Sequence, residues 1–204
     1  MLRMESILSK DYFLDWLRNY GLTILTAAAF ATLLVTPERS MPIAVFGLAI
    51  MYFWVYMFHR CLHFLPTEGP FRYINTHWIF HHQPLKILDR RVELLLESFN
   101  DFGMGISVRL LQWATGVWIV PVSIILFYAI WYTSVHIINY SVIGSPIHKD
   151  HHKNVDTNFG PDVLDHLFGT NHTSVKEDLI YMIPNAVIAL GVVWLLKQTF
   201  HWVD

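Results

Sequence analysis

Three short histidine clusters interrupt an otherwise apolar chain: His59-Arg60-Cys61-Leu62-His63, His77-Trp78-Ile79-Phe80-His81-His82 and His148-Lys149-Asp150-His151-His152. Eight imidazoles at these spacings constrain the fold, because they make chemical sense only if the helices between them return to one place. Imidazole is the commonest neutral metal ligand near pH 7, so the clusters point to a histidine-ligated metal centre at the edge of a membrane.

The membrane follows from composition. Of 204 residues, 54% are hydrophobic and only 15% charged, more apolar than an ordinary soluble domain, so the excess is expected to face lipid. The formal charge of −2 comes with no basic stripe interleaved with aromatics, and nothing proposes nucleic acid as a partner. Cys61 is the sole cysteine, which excludes an intrachain disulfide and any CxxC site. The segment from Met1 to Arg18 carries mixed charge and no small-residue cleavage signal, so no cleavable signal peptide is expected.

The expected fold is an all-α integral membrane protein in a single domain, with about four transmembrane helices under a histidine-rich cap. Apolar runs at residues 20–36 and 42–58 are each about long enough to cross a hydrocarbon core, and Pro37 to Met41 forms the hairpin between them. The stretch from Met104 to Ile138 is too long for one crossing. An even number of crossings must separate the first two clusters from the third, so two helices are expected there, at 105–120 and 121–138, with Pro121 in the first turn of the second. The run at 179–200, which contains Pro184, Gly191 and Lys197, either crosses a fifth time or lies partly in the interface. Arg3, Lys10, Arg18, Arg60, Arg72, Lys86, Arg90 and Arg91 stand against Arg39 alone, which places the clusters on the cytoplasmic side. Leu88, Val92, Leu95, Leu96 and Phe99 recur at helical spacing with Arg90, Arg91 and Glu97 between them. This reads as a helix lying on the membrane or leading into the third crossing.

Within the clusters, His59 and His63 share a helix face. His77 precedes His81 by one turn, while His81 and His82 point about 100° apart and can serve different metals. His148, His151 and His152 repeat the pattern. His136 lies inside an apolar segment, where an ionisable side chain is functional by default, and Asn139 and Tyr140 follow about one turn later. Cys61 falls off the His59/His63 face and reads as a packing residue. There is no HExxH and no ExxH pair, so neither a metalloprotease nor a carboxylate-bridged bundle is indicated. The nearly all-imidazole set suits Fe, Cu, Zn and Ni alike, and its size favours two ions.

From His59 to Thr170 the chain resembles the membrane fatty acid hydroxylase and sterol desaturase superfamily. The most specific stretch is HKDHH followed by Asn158-Phe159-Gly160 and Asp165-His166-Leu167-Phe168-Gly169-Thr170. The resemblance implies a di-iron centre, two Fe ions using O2, held by His59, His63, His81, His82, His136, His148, His151 and His152, with His77 joining them and His166 a further candidate. Asp165 is a candidate to orient a ligating histidine through its ring N–H, or else caps the turn ending at Gly169. Asn139 is a candidate to hold a ligand or water. The implied reaction is hydroxylation, with desaturation as the alternative, of a C–H bond in a fatty acyl or sterol-like lipid. With no GxGxxG motif, iron–sulfur box or haem module in the chain, a separate electron donor of ferredoxin or cytochrome type is expected. Lys149 and Lys153 either dock that donor or form a solvated face. A haem protein would place paired histidines mid-helix, and a zinc transporter would need polar residues through several spans. A non-catalytic histidine-rich metal-binding protein is the remaining alternative.

Overall fold

The computed structural model describes residues 22–34, 41–82, 89–160, 162–170 and 182–201, with the single positions 14, 172 and 204. Among these residues every regular element is a helix. The order is α1 (Leu22–Leu34), α2 (Met41–Phe64), a 3-10 turn (Gly69–Tyr73), a π-helical turn (Trp78–His82), α3 (Arg90–Thr115), α4 (Val122–Ser134) with a π-helical extension (Val135–Ile143), α5 (Pro146–Lys153), α6 (Asp162–Phe168) and α7 (Met182–Phe200). The hairpin tip at 37–40 and the basic residues Arg3, Lys10, Arg18, Arg39 and Lys86, with Leu88, lie outside the described residues.

Three helical stretches are long and apolar enough to cross a membrane: Met41–Phe64, Val122–Ile143 and Met182–Phe200. They meet α1 and α3 through small side chains. Ala27 and Ala31 of α1, Ala44 of α2, Ala129 of α4 and Ala186 and Ala189 of α7 are all buried, whereas Leu25, Phe46, Trp113, Ile188 and Trp194 face outward. Small residues at helix contacts, with large apolar residues also on the outside, is the pattern expected where lipid replaces water around a bundle. Gly105 of α3 is the tightest case, since a Cβ there would stand 2.6 Å from the Ala129 Cβ.

The long stretch from Met104 to Ile138 does fold back on itself. The break differs in detail from expectation, because α3 runs unbroken from Arg90 and ends at Thr115, where Gly116 takes a left-handed conformation (φ 70°). Pro121 precedes α4 as its N-cap. Between them, buried Gln112 accepts hydrogen bonds from the backbone N–H groups of Ile119 and Val120 and donates to Val120 O. That arrangement satisfies a turn at the apolar end of the bundle from within.

α3 runs from within the pattern at 88–99 straight into the first arm of the hairpin. Its apolar residues are the outward ones, with Leu95 56% and Phe99 67% exposed, while Glu97 and Asp101 are 2% and 0% exposed. The helix is inverted relative to a surface helix in water. The apolar face turns outward, and the polar face turns toward the histidines.

At the end of the bundle away from the histidines, Lys197 donates to Leu34 O and to Asp204 Oδ2, and Asp204 accepts from the Ser123 backbone and hydroxyl. α1, α4 and α7 are thereby tied together by a polar knot among otherwise apolar contacts.

Candidate metal centre

Because α3 and α4 form a hairpin, the elements that precede it and follow it open at the same end. His59 and His63 occupy the last turns of α2, His81 and His82 the π-helical turn, His136 the π-helical extension of α4, and His148, His151 and His152 α5. His77 lies just before the π-helical turn. The π-helical extension closes at Gly144 (φ 83°), whose N–H, with that of Ser145, returns to Asn139 O. Ser145-Pro146 then starts α5 at once, with Pro146 in its first turn. Wide helical turns of this kind are frequent at functional sites.

The imidazoles sort into two groups that could each hold a metal ion. His59, His63, His77, His82 and His151 form the first; His81, Glu97, His136 and His148 form the second, with all candidate ligand atoms of a group within 4.8 Å of one another. His152 joins the second group, its Nε2 lying 3.0 Å from His81 Nε2 and 2.9 Å from His148 Nε2. The adjacent pairs divide as expected, His82 to one group and His81 to the other. His77 and His81 divide too, although one turn apart, and so do His151 and His148.

Ring contacts in the first group are those of ligands. His59, His63 and His77 bring their Nε2 atoms together at 3.0, 3.1 and 3.2 Å. Each such nitrogen of a neutral imidazole carries either a proton or a lone pair, so two of the three must be alike and repel. Hydrogen bonding alone therefore does not satisfy this triangle, whereas a cation between lone pairs does. Outer contacts fix the same polarity. His59 Nδ1 stands 3.0 Å from Phe159 O and His151 Nδ1 2.5 Å from Thr157 O, and a carbonyl only accepts. Both rings must donate outward through Nδ1 and keep the Nε2 lone pair inward. His151 Nε2 and both nitrogens of His82 are buried and meet no hydrogen-bond partner among the described residues. Buried polar atoms are rarely left so, and here they converge where a cation would sit.

In the second group His81 Nδ1 donates to Glu97 Oε1 at 2.8 Å, which leaves its Nε2 lone pair facing His136 and His152. Ser141 Oγ donates to the same carboxylate oxygen at 2.5 Å. The His136 Nε2 atom lies 3.5 Å from Glu97 Oε1 and 4.0 Å from Asp101 Oδ2. The ring of Tyr140 stacks on His148 at 4.8 Å.

Burial, followed by neighbouring imidazoles, holds His77, His81, His82 and His148 well below the ordinary histidine pKa, and pushes His151 down to about 4. His152 is lowered by burial alone. Neutral imidazole is the form that binds a metal, so the pocket keeps its ligands in the competent state.

The described partners of the Asp165 carboxylate are backbone and hydroxyl donors. It accepts from the backbone N–H of Phe159 at 3.0 Å and of Gly160 at 2.7 Å, and from Thr170 Oγ1 at 2.6 Å. Thr170 O in turn accepts from Asn158 N, and Thr170 Oγ1 bonds the Tyr56 hydroxyl. Since Phe159 O holds His59 Nδ1, Asp165 orients that imidazole through one peptide unit. Asp165→Asn keeps one acceptor but turns an NH2 toward amide donors. It is expected to lower stability by about 2–3 kcal/mol, since charge-assisted hydrogen bonds to buried groups are lost. Thermal unfolding of the detergent-solubilised protein measures this.

Asn139 accepts from Asn185 Nδ2 of α7 at 3.2 Å, which makes it a tie between helices. His166 lies on α6, but its side chain is outside the described residues. His172 is bonded to Asp150 at 2.9 Å and His201 is exposed, so both stand apart from the two groups. Cys61 is off the histidine face as expected, but exposed rather than packed.

Sequence reasoning passed over Glu97, Asp101 and Asn100. Glu97 sat in a pattern read as a helix lying on the membrane or leading into the third crossing, and Asp101 just beyond it; the signal available was a pair of acids four apart leading into an apolar run. Asn100 places its amide 3.3 Å from His77 Nδ1 and accepts from Thr76 Oγ1.

Residues 44–170, well over half the chain, match the family model described as fatty acid hydroxylase. No curated protein and no solved structure matches the chain.

Proposed function

The chain belongs to the fatty acid hydroxylase family, within the membrane fatty acid hydroxylase and sterol desaturase superfamily, and on that premise we propose that it is a membrane oxidoreductase that hydroxylates a C–H bond of a lipid with O2 at a pair of irons. The observation that carries this reading is the division of nine imidazoles into two groups, in which the outer partners of His59, His151 and His81 leave their Nε2 lone pairs facing inward. His59, His63, His77, His82 and His151 would hold one iron. His81, His136, His148 and His152, beside Glu97, would hold the other.

Bound iron would supply O2 activation there, with one oxygen atom entering the C–H bond and the other leaving as water at the expense of two electrons and two protons. The chain's own residues supply the rest. Phe159 O, Thr157 O and Glu97 fix the tautomers of His59, His151 and His81, so these three ligands are oriented before any ion arrives. The buried rings exclude water, which protects a reactive centre. A fatty acyl or sterol-like substrate would enter sideways from lipid between the helices beneath the site.

Electrons would come from a separate ferredoxin- or cytochrome-type donor. Lys149 and Lys153 are exposed on α5, and His152 is the least buried of that helix's three histidines, so the donor would dock there on the cytoplasmic face.

Two measurements test the proposal. Purified protein is expected to carry close to two irons per chain, and lipids of cells expressing it should show a gain of one oxygen. A loss of two hydrogens instead would establish desaturation. Haem absorbance, or folded protein that binds no metal, would reject the assignment.

A further inference from the structure

Glu97 and Asp101 stand one helical turn apart on the buried face of α3, and both approach the second imidazole group. Glu97 Oε1 is 2.8 Å from His81 Nδ1 and 3.5 Å from His136 Nε2, and Asp101 Oδ2 is 4.0 Å from His136 Nε2. Among the described residues the first group contains five histidines and no carboxylate. Asp150, beside His151 in sequence, has its oxygens occupied by Asn154, Asn158 and His172.

From this we infer that the two metal positions are unequal, the carboxylate-flanked one binding a divalent cation more tightly and filling first. The inference rests on the metal-binding reading above and adds to it an order of occupancy. Its physical basis is charge. Five neutral imidazoles offer lone pairs only, whereas His81, His136, His148 and His152 offer lone pairs beside a carboxylate. Carboxylates at a site tune cation affinity through the number of charges, and an acid hydrogen-bonded to a ligating histidine makes that imidazole a stronger donor. Ser141 donates to the same Glu97 oxygen that His81 does and helps hold it in place.

Glu97→Gln separates charge from shape. The amide oxygen still accepts from His81 Nδ1 and Ser141, so a purely structural role would survive the change, and only the negative charge is lost.

The experiment uses the full chain in detergent, loaded with two equivalents of Co2+ and titrated with EDTA, following retained metal by mass spectrometry and the visible Co2+ band. The wild type is expected to release its ions in two steps, about tenfold or more apart in chelator. In His63→Ala the easy step should vanish and the resistant one remain. In Glu97→Gln the resistant step should weaken by about 10- to 100-fold, moving toward the other. Should Glu97→Gln not fold, Asp101→Asn serves the same purpose, with severalfold weakening expected.

Simultaneous release of both ions from the wild type would overturn the inference and leave the function standing. So would a resistant step that survives Glu97→Gln, or Asp101→Asn where that variant replaces it, or one that disappears in His63→Ala. A wild type that binds no Co2+ would remove the metal-binding reading and the inference together.

Discussion

His151→Ala is expected to lose one of two bound metal ions and to reduce lipid oxidation by at least about 100-fold. The expectation follows from how completely the chain commits this ring. Its Nδ1 is held by Thr157 O, its Nε2 is buried without a hydrogen-bond partner among the described residues, and the side chain belongs to the five-histidine group. Alanine there removes a donor that no neighbour can replace, because His59 and His77 are already fixed in place by Phe159 O and Asn100. Loss of even an outer partner of a metal ligand typically weakens binding about 10- to 100-fold, and a direct ligand should weigh more. Metal content of the purified variant and lipid profiles of expressing cells measure the two effects. His201→Ala, at an exposed imidazole outside both groups, should leave both unchanged. Full metal content and undiminished oxidation in His151→Ala would sink the catalytic reading.

Much of this arrangement was legible in the sequence, and for a physical reason. A chain that must return to one metal centre leaves histidines at the ends of its apolar runs, so cluster positions report topology as well as chemistry. That is why the fold-back between Met104 and Ile138 could be argued from the need for His59 to His82 and His148 to His152 to share one end. Assignment within the clusters was harder. Helical spacing placed His77 and His81 on one face, yet they fall in different groups, because the π-helical turn and the second strip of histidines from α5 divide the space between them.

Glu97 was passed over for a different reason. The pattern of Leu88 to Phe99 is that of an amphipathic helix, and in water the apolar stripe would be buried. Beside lipid the same pattern has the opposite meaning, since the outside is the apolar medium and the polar stripe needs partners within the protein. Leu95 and Phe99 face out, and Glu97 finds His81 and Ser141. Periodicity gives the two faces of a helix; only the surrounding medium says which faces in. Asp165 illustrates a third limit. Its place in the D-x-x-F-G-T ending was visible, but its effect on His59 passes through the Phe159 peptide, and backbone-mediated contacts leave no trace in side-chain spacing.

Stripped of metal, the protein should become unstable in mild acid. His77, His81, His82, His148 and His151 are held below the ordinary histidine pKa, chiefly by burial. In the unfolded chain each takes up a proton near pH 6.5, as free imidazole does. Below that pH the unfolded state binds more protons than the folded state, so the free energy of unfolding falls as pH falls. For His151 the loss begins near 6.5 and is complete near its folded value of about 4, a cost of about 3 kcal/mol. The others continue to lower stability beyond that point. Five such rings together give a slope of up to about 7 kcal/mol per pH unit below 6, comparable with the whole stability of an ordinary domain. Metal-free protein is therefore expected to lose its near-ultraviolet circular dichroism between about pH 6 and 5. Bound metal competes with protons for the same lone pairs, so the loaded protein should reach lower pH before the same change. A chelator-treated sample equally stable at pH 7.5 and pH 5 would mean that these imidazoles are not buried neutral, and the inward-facing lone pairs would have to be abandoned.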